Sequence, residues 1–269
     1  FELCEKILDR SGPFREYIEN FSYAMAVLDT MGAGIYGNLN ETYQDLSPDS
    51  QFRQALDAMS MEFPDWLKKA DGAAACSNCG VNCRMAFALP GGGCAYLKCH
   101  LWNSFMVSTK IIDYDAVLEC CRLSQHNGLD IIAVARCIAF AIDLYEKGIL
   151  TKQDTGGMHL QWSDKEVVFS LIEKVSQRDG IGDTLANGVY EAARQIGRGA
   201  EDFAHHIKKM EFAPPAVLMF MPYLALAQAI SDKGDMSRNV SSTCVMWAGY
   251  SREQRQELIK SPFWIYPKE

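Results

Sequence analysis

Between residues 114 and 196, apolar positions recur at intervals of three and four, the spacing that lines side chains along one face of a helix. Tyr114–His126 carries Val117, Cys120 and Cys121 in phase, and Asn127-Gly128 supplies a stop suited to a left-handed cap. Ile131, Val134, Ile138, Ala141, Ile142 and Tyr145 form a second stripe, closed by Gly148. Ser163-Asp-Lys-Glu166 reads as a capping box, with Ser163 accepting from an early amide and Glu166 reaching back, and it predicts a helix ending near Gly180. Asp183 is placed to cap a helix running to about Ile196, ahead of Gly197. Further helices are expected from near Pro222 and over 252–260. Leu89-Pro-Gly-Gly-Gly93 and Ala213-Pro-Pro215 punctuate the pattern as loops. With no internal repeat, heptad array or low-complexity tract, the chain reads as a mainly α protein of two helical domains.

Composition narrows the functional classes. With 269 residues, 48% of them apolar and 22% charged, the chain can bury a substantial core. A net charge of -8 and no cluster of Lys and Arg argue against a nucleic-acid or anionic-membrane surface. No apolar run reaches the length of about 18 residues needed for a membrane span, and no charged-then-apolar leader opens the chain, so a cytoplasmic protein is expected. Ten cysteines, two of them adjacent at Cys120-Cys121, look unlike a secreted disulfide framework and fit a reducing compartment. A start at Phe1 and an end at Glu269 after Pro-Lys suggest a piece of a longer protein.

The candidate chemistry lies in Cys76-Ser-Asn-Cys79-Gly-Val-Asn-Cys83. Three thiolates within eight residues converge on one metal centre more readily than on a hydrophobic core. A zinc ribbon pairs two C-x2-C knuckles, and only one is present. An iron–sulfur cluster takes four thiolates, three of which can be local, and this division suits Cys76, Cys79 and Cys83. Zinc is the competing reading. Cys120, Cys121 and Cys137 fall in helical stretches and read as small buried hydrophobes, while Cys4 and Cys244 are isolated. Cys94 and Cys99 follow the glycine-rich loop, and the imidazole of His100 can lower the thiol pKa of Cys99. His205-His206 reads as a solvated helix face rather than a metal pair.

Three stretches together resemble the tungsten-containing aldehyde:ferredoxin oxidoreductase family. They are the cysteine triplet, then Asn127-Gly-Leu-Asp130 running into Ile138-Ala-Phe-Ala-Ile-Asp-Leu-Tyr-Glu-Lys-Gly148, and then Gly182-Asp-Thr-Leu-Ala-Asn-Gly188 through Ala192-Ala-Arg-Gln-Ile-Gly197 to Ala225-Leu-Ala-Gln-Ala-Ile-Ser-Asp-Lys-Gly234. The resemblance implies helical domain 2 and part of domain 3 of that architecture, without its N-terminal β-rich domain. It places a helical middle domain at 1–204 and the start of a C-terminal helical domain at 205–269. It further implies a 4Fe-4S cluster on Cys76, Cys79 and Cys83, whose fourth ligand lies in a D-x-x-G-L-C motif that this sequence does not contain. A tungsten or molybdenum bis-pterin, with magnesium bridging the pterins, is implied beside Gln125, Gly128, Leu129 and Asp130.

Three departures from the family pattern bear on the substrate. Gln125 replaces the first Asp of the pterin motif, Cys99 falls where aldehyde-oxidising members place a Glu, and Met236 where they place a His. Loss of two acid–base groups argues against simple aldehyde oxidation, and a thiolate is a soft ligand for a heavy metal. Within the family the chain resembles the class II benzoyl-CoA reductase branch, which reduces an aromatic acyl-CoA. On that resemblance Cys99 is expected to ligate tungsten and His100 to donate a proton, with the Met-rich 210–221 stretch walling a dry pocket. The implied partners are ferredoxin or an iron–sulfur electron-transfer subunit, within a multi-subunit complex. Aldehyde or carboxylate oxidoreduction, a non-catalytic iron–sulfur subunit and a zinc-stapled helical module are the alternatives.

Overall fold

The computed structural model describes residues 68–74, 84–97 and 99–211, with single positions between 51 and 66 and residues 229–230. Two units divide the chain: Phe1–Asn40, Asp45–Trp102 and Val240–Glu269 form one, and Glu41–Gln44 with Asn103–Asn239 the other. The helices expected from Pro222 and over 252–260 lie outside the described residues, as do Cys4, Met236 and Cys244.

In the first unit the chain forms a three-stranded antiparallel sheet in the order β1-β2-β3, from β1 (Ala70–Ala74), β2 (Arg84–Ala88) and β3 (Cys94–Leu97). Helical periodicity does not anticipate this sheet, although the fold remains mainly α. Leu89-Pro-Gly-Gly-Gly93 is its hairpin turn: Gly92 N–H donates to Leu89 O at 2.9 Å, and Gly92 and Gly93 take φ of 89° and 91°, a region glycine enters without strain. Along β3, Ala95 and Leu97 are buried while Tyr96 is exposed, the period-two alternation of a strand with one covered face. Phe87 of β2 is buried and stacks on Trp66 with ring centroids 4.8 Å apart. A bulge in β1 between Ala70 and Gly72 shifts the register before Ala74 pairs with Arg84.

The described part of the second unit is helical. Helix α1 (Cys99–Thr109) is followed by α2 (Tyr114–His126), α3 (Ile131–Glu146), α4 (Lys165–Gln177), α5 (Ile181–Leu185), α6 (Val189–Ile196) and a 3-10 turn (Ala200–Phe203). The bounds of α2 and α3 agree with the periodicity. Helix α3 exceeds the single stripe read from its sequence: every residue from Ile131 to Leu144 except Ala133 is buried, as in a helix enclosed by its neighbours. Its buried Asp143 is paired with Lys147 at 2.5 Å.

Two expectations need correction. Ser163 does not cap α4; Asp164 does, accepting from Glu166 N at 3.1 Å and Val167 N at 3.2 Å. Ser163 is instead drawn into tertiary contacts, its N–H donating to Thr109 O at 3.0 Å and its hydroxyl to Lys110 O at 2.9 Å, which fixes it at φ 64°. The single helix expected from Asp183 to Ile196 is two helices, α5 and α6, separated around Asn187 and Gly188. Asp183 lies inside α5 and pairs with Arg178 at 2.8 Å rather than capping a helix.

Candidate functional site

The pterin-motif residues form the corner between α2 and α3. Asp113 starts α2 by accepting from Asp115 N and Ala116 N, each at 3.1 Å. At the far end, Asn127 N–H donates to Leu123 O, Gly128 N–H to Gln125 O at 3.1 Å, and Leu129 N–H to Ser124 O at 2.8 Å. Gly128 takes φ 68°, the left-handed conformation that closes a helix, and a Cβ there would meet nothing within 4 Å. Open space therefore lies against its backbone. Asp130 then starts α3 as N-cap, Oδ1 accepting from Ala133 N at 2.9 Å.

This corner gathers four of the candidate residues. Gln125 and Leu129 are half-buried, while Gly128 and Asp130 are exposed. Asp130 has two roles available. One carboxylate oxygen caps the helix, and the other makes no hydrogen bond among the described residues. An acceptor beside open space at Gly128 fits the N–H edge of a pterin.

Cys76, Cys79 and Cys83 lie outside the described residues, but the strands flanking them are defined. Ala74 ends β1 and pairs with Arg84, which opens β2, so the chain enters and leaves the intervening nine residues at Cα positions about 5 Å apart. Three soft thiolate donors in one strand connection suit an iron–sulfur cluster. Among the described residues no group of three or more His, Cys, Asp or Glu is placed to hold a metal ion. Cys99 and His100 are the first two residues of α1; their side chains are outside the description.

The comparisons with known proteins bear on these motifs together. The family model described as "Aldehyde ferredoxin oxidoreductase, domains 2 & 3" matches residues 15–259. The chain belongs to the aldehyde ferredoxin oxidoreductase family. It is 26% identical over 228 residues to the aliphatic sulfonate oxidoreductase WOR-like subunit of Pyrococcus furiosus, covering 80% of this chain and 34% of that protein. It is 35% identical over 102 residues to the tungsten-containing aldehyde ferredoxin oxidoreductase of Thermococcus kodakarensis, covering 38% of this chain and 16% of that protein. Among solved structures it is similar to the active site complex BamBC of benzoyl coenzyme A reductase with 1,5 dienoyl-CoA, at 34% identity and a TM-score of 0.61 over 68% of this chain and 28% of that one. The chain thus spans about a third or less of the length of these relatives.

Other residues of this family member carry packing that its sequence does not announce. Glu211 Oε1 accepts from Val189 N at 2.5 Å, capping α6 from 22 residues away, and the Cys137 thiol donates to the same oxygen at 3.8 Å. Burial first, and then the Glu211 charge, pushes the Cys137 thiol well up. Burial likewise raises Cys120 and Cys121, so all three behave as inert core side chains. His205 and His206 follow the 3-10 turn rather than lying on a helix, and both are half-buried. The ring of His206 meets Tyr190 edge-on at 4.9 Å, which replaces the solvated face expected from sequence. Of the Met-rich stretch, Met210 is 48% exposed and 212–221 lie outside the described residues.

Proposed function

We propose that this chain is the helical cofactor-binding part of a metallopterin and iron–sulfur oxidoreductase whose complete form reduces an aromatic acyl-CoA at low potential. The likeness to the benzoyl-CoA reductase active-site complex carries the reading, and Cys99 in place of an acid–base Glu supports it. Residues 1–204 would form the middle domain and 205–269 the beginning of the C-terminal one.

In this reading Cys76, Cys79 and Cys83 supply three ligands of a 4Fe-4S cluster, and Cys99 ligates the tungsten or molybdenum. Gln125, Gly128, Leu129 and Asp130 hold the pterin: the turn at Gly128 admits its edge, Asp130 accepts from it, and the Gln125 amide donates as well as accepts. When bound, the metallopterin and its magnesium would supply the low-potential redox chemistry. His100, beside Cys99, delivers a proton to the substrate. Electrons come from ferredoxin or an iron–sulfur subunit of the same complex.

The test is turnover by the anaerobic full-length protein with its partner subunit. Dienoyl-CoA oxidation by a low-potential acceptor, or the reverse reduction, is expected with no aldehyde oxidation. Aldehyde oxidation without acyl-CoA turnover would overturn the assignment. The likeness to tungsten-containing aldehyde ferredoxin oxidoreductases, 33–35% identical over 38% of this chain, favours, as second reading, oxidoreduction of an aldehyde or carboxylate. The same assay separates the two.

A further inference from the structure

We draw no further inference here: the strongest candidate, the surface patch on α6 where Lys209 and Arg194 lie over the Tyr190 ring, 4.8 and 5.7 Å from its centroid, is partly neutralised by the Arg194–Glu191 pair at 3.1 Å, and nothing in the structure shows what covers it in a chain that spans about a third or less of its relatives' length.

Discussion

Asp130 is asked to do two things with one side chain, and two substitutions pull them apart. Oδ1 accepts from Ala133 N at 2.9 Å as the N-cap of α3, and the second oxygen is the one proposed to meet the pterin. Asparagine caps as well as aspartate, whereas alanine at such a site costs about 1 kcal/mol. Asp130→Ala should therefore deprotect the Ala133 amide about fivefold in hydrogen exchange, since about 1.4 kcal/mol corresponds to tenfold. Asp130→Asn should leave that exchange within a factor of about two to three, the residue being the lost carboxylate–dipole interaction of ~0.3–0.6 kcal/mol at this exposed site. The pterin should distinguish them differently. A hydrogen bond to a charged group contributes about 1.5–3 kcal/mol against about 0.5–1.5 for a neutral one. Losing the charge thus costs ~1–1.5 kcal/mol, or roughly 5–13-fold in pterin affinity, in Asp130→Asn, and losing the whole hydrogen bond ~1.5–3 kcal/mol, or roughly 10–150-fold, in Asp130→Ala. The assay is Ala133 exchange in the full-length protein alongside tungsten and pterin retained after anaerobic dialysis. Full cofactor retention by Asp130→Asn would refute the pterin contact, and unchanged exchange in Asp130→Ala would refute the cap.

Further substitutions test the packing and the charges. A Cβ on Gly182 would stand 2.2 Å from the carbonyl carbon and oxygen of Lys174, backbone atoms that cannot swing aside, so Gly182→Ala should destabilise by about 1–3 kcal/mol or more through separation of α4 and α5; an unchanged urea midpoint would contradict the close approach. Arg198, followed by Thr151, holds the Asp154 carboxyl well below the usual carboxylate range. Because the folded pKa is depressed, this stabilisation is complete above the unfolded value of about 3.9 and fades as pH falls toward the folded one. Asp154→Asn should therefore lower the urea midpoint at neutral pH, and the gap to the unmutated protein should shrink below about pH 4; a pH-independent gap would contradict the pairing. Burial raises the thiols of Cys120, Cys121 and Cys137, so alkylation of the native protein should leave all three unmodified, and native labelling of Cys120 would contradict its enclosure.

How much of this was legible in the chain depends on how local the determining interactions are. The bounds of α2 and α3 follow from apolar spacing and from caps within three residues, so their sequence suffices. At α4 the cap moves by one residue because Ser163 is engaged by Thr109 and Lys110, more than 50 positions earlier, where no local rule reaches. The break between α5 and α6 reflects Gly188 at φ 85°, whose missing Cβ leaves room for Glu211. Glu211 itself could not be read as a cap, since its partners Val189 and Cys137 are remote in sequence. The sheet was missed because its strands are short and alanine-rich, although the alternation about Pro-Gly-Gly-Gly carried a hairpin signal. Of the candidate site, the pterin corner is explained by its glycine and its two helix ends. The cysteine triplet and the side chains of Cys99 and His100 stand on spacing and resemblance alone.

Metal analysis of the full-length protein, purified anaerobically from its native source, tests the metallopterin and iron–sulfur assignment most directly. About one tungsten or molybdenum and about four irons per chain are expected. Stoichiometric zinc without iron, tungsten or molybdenum would contradict it.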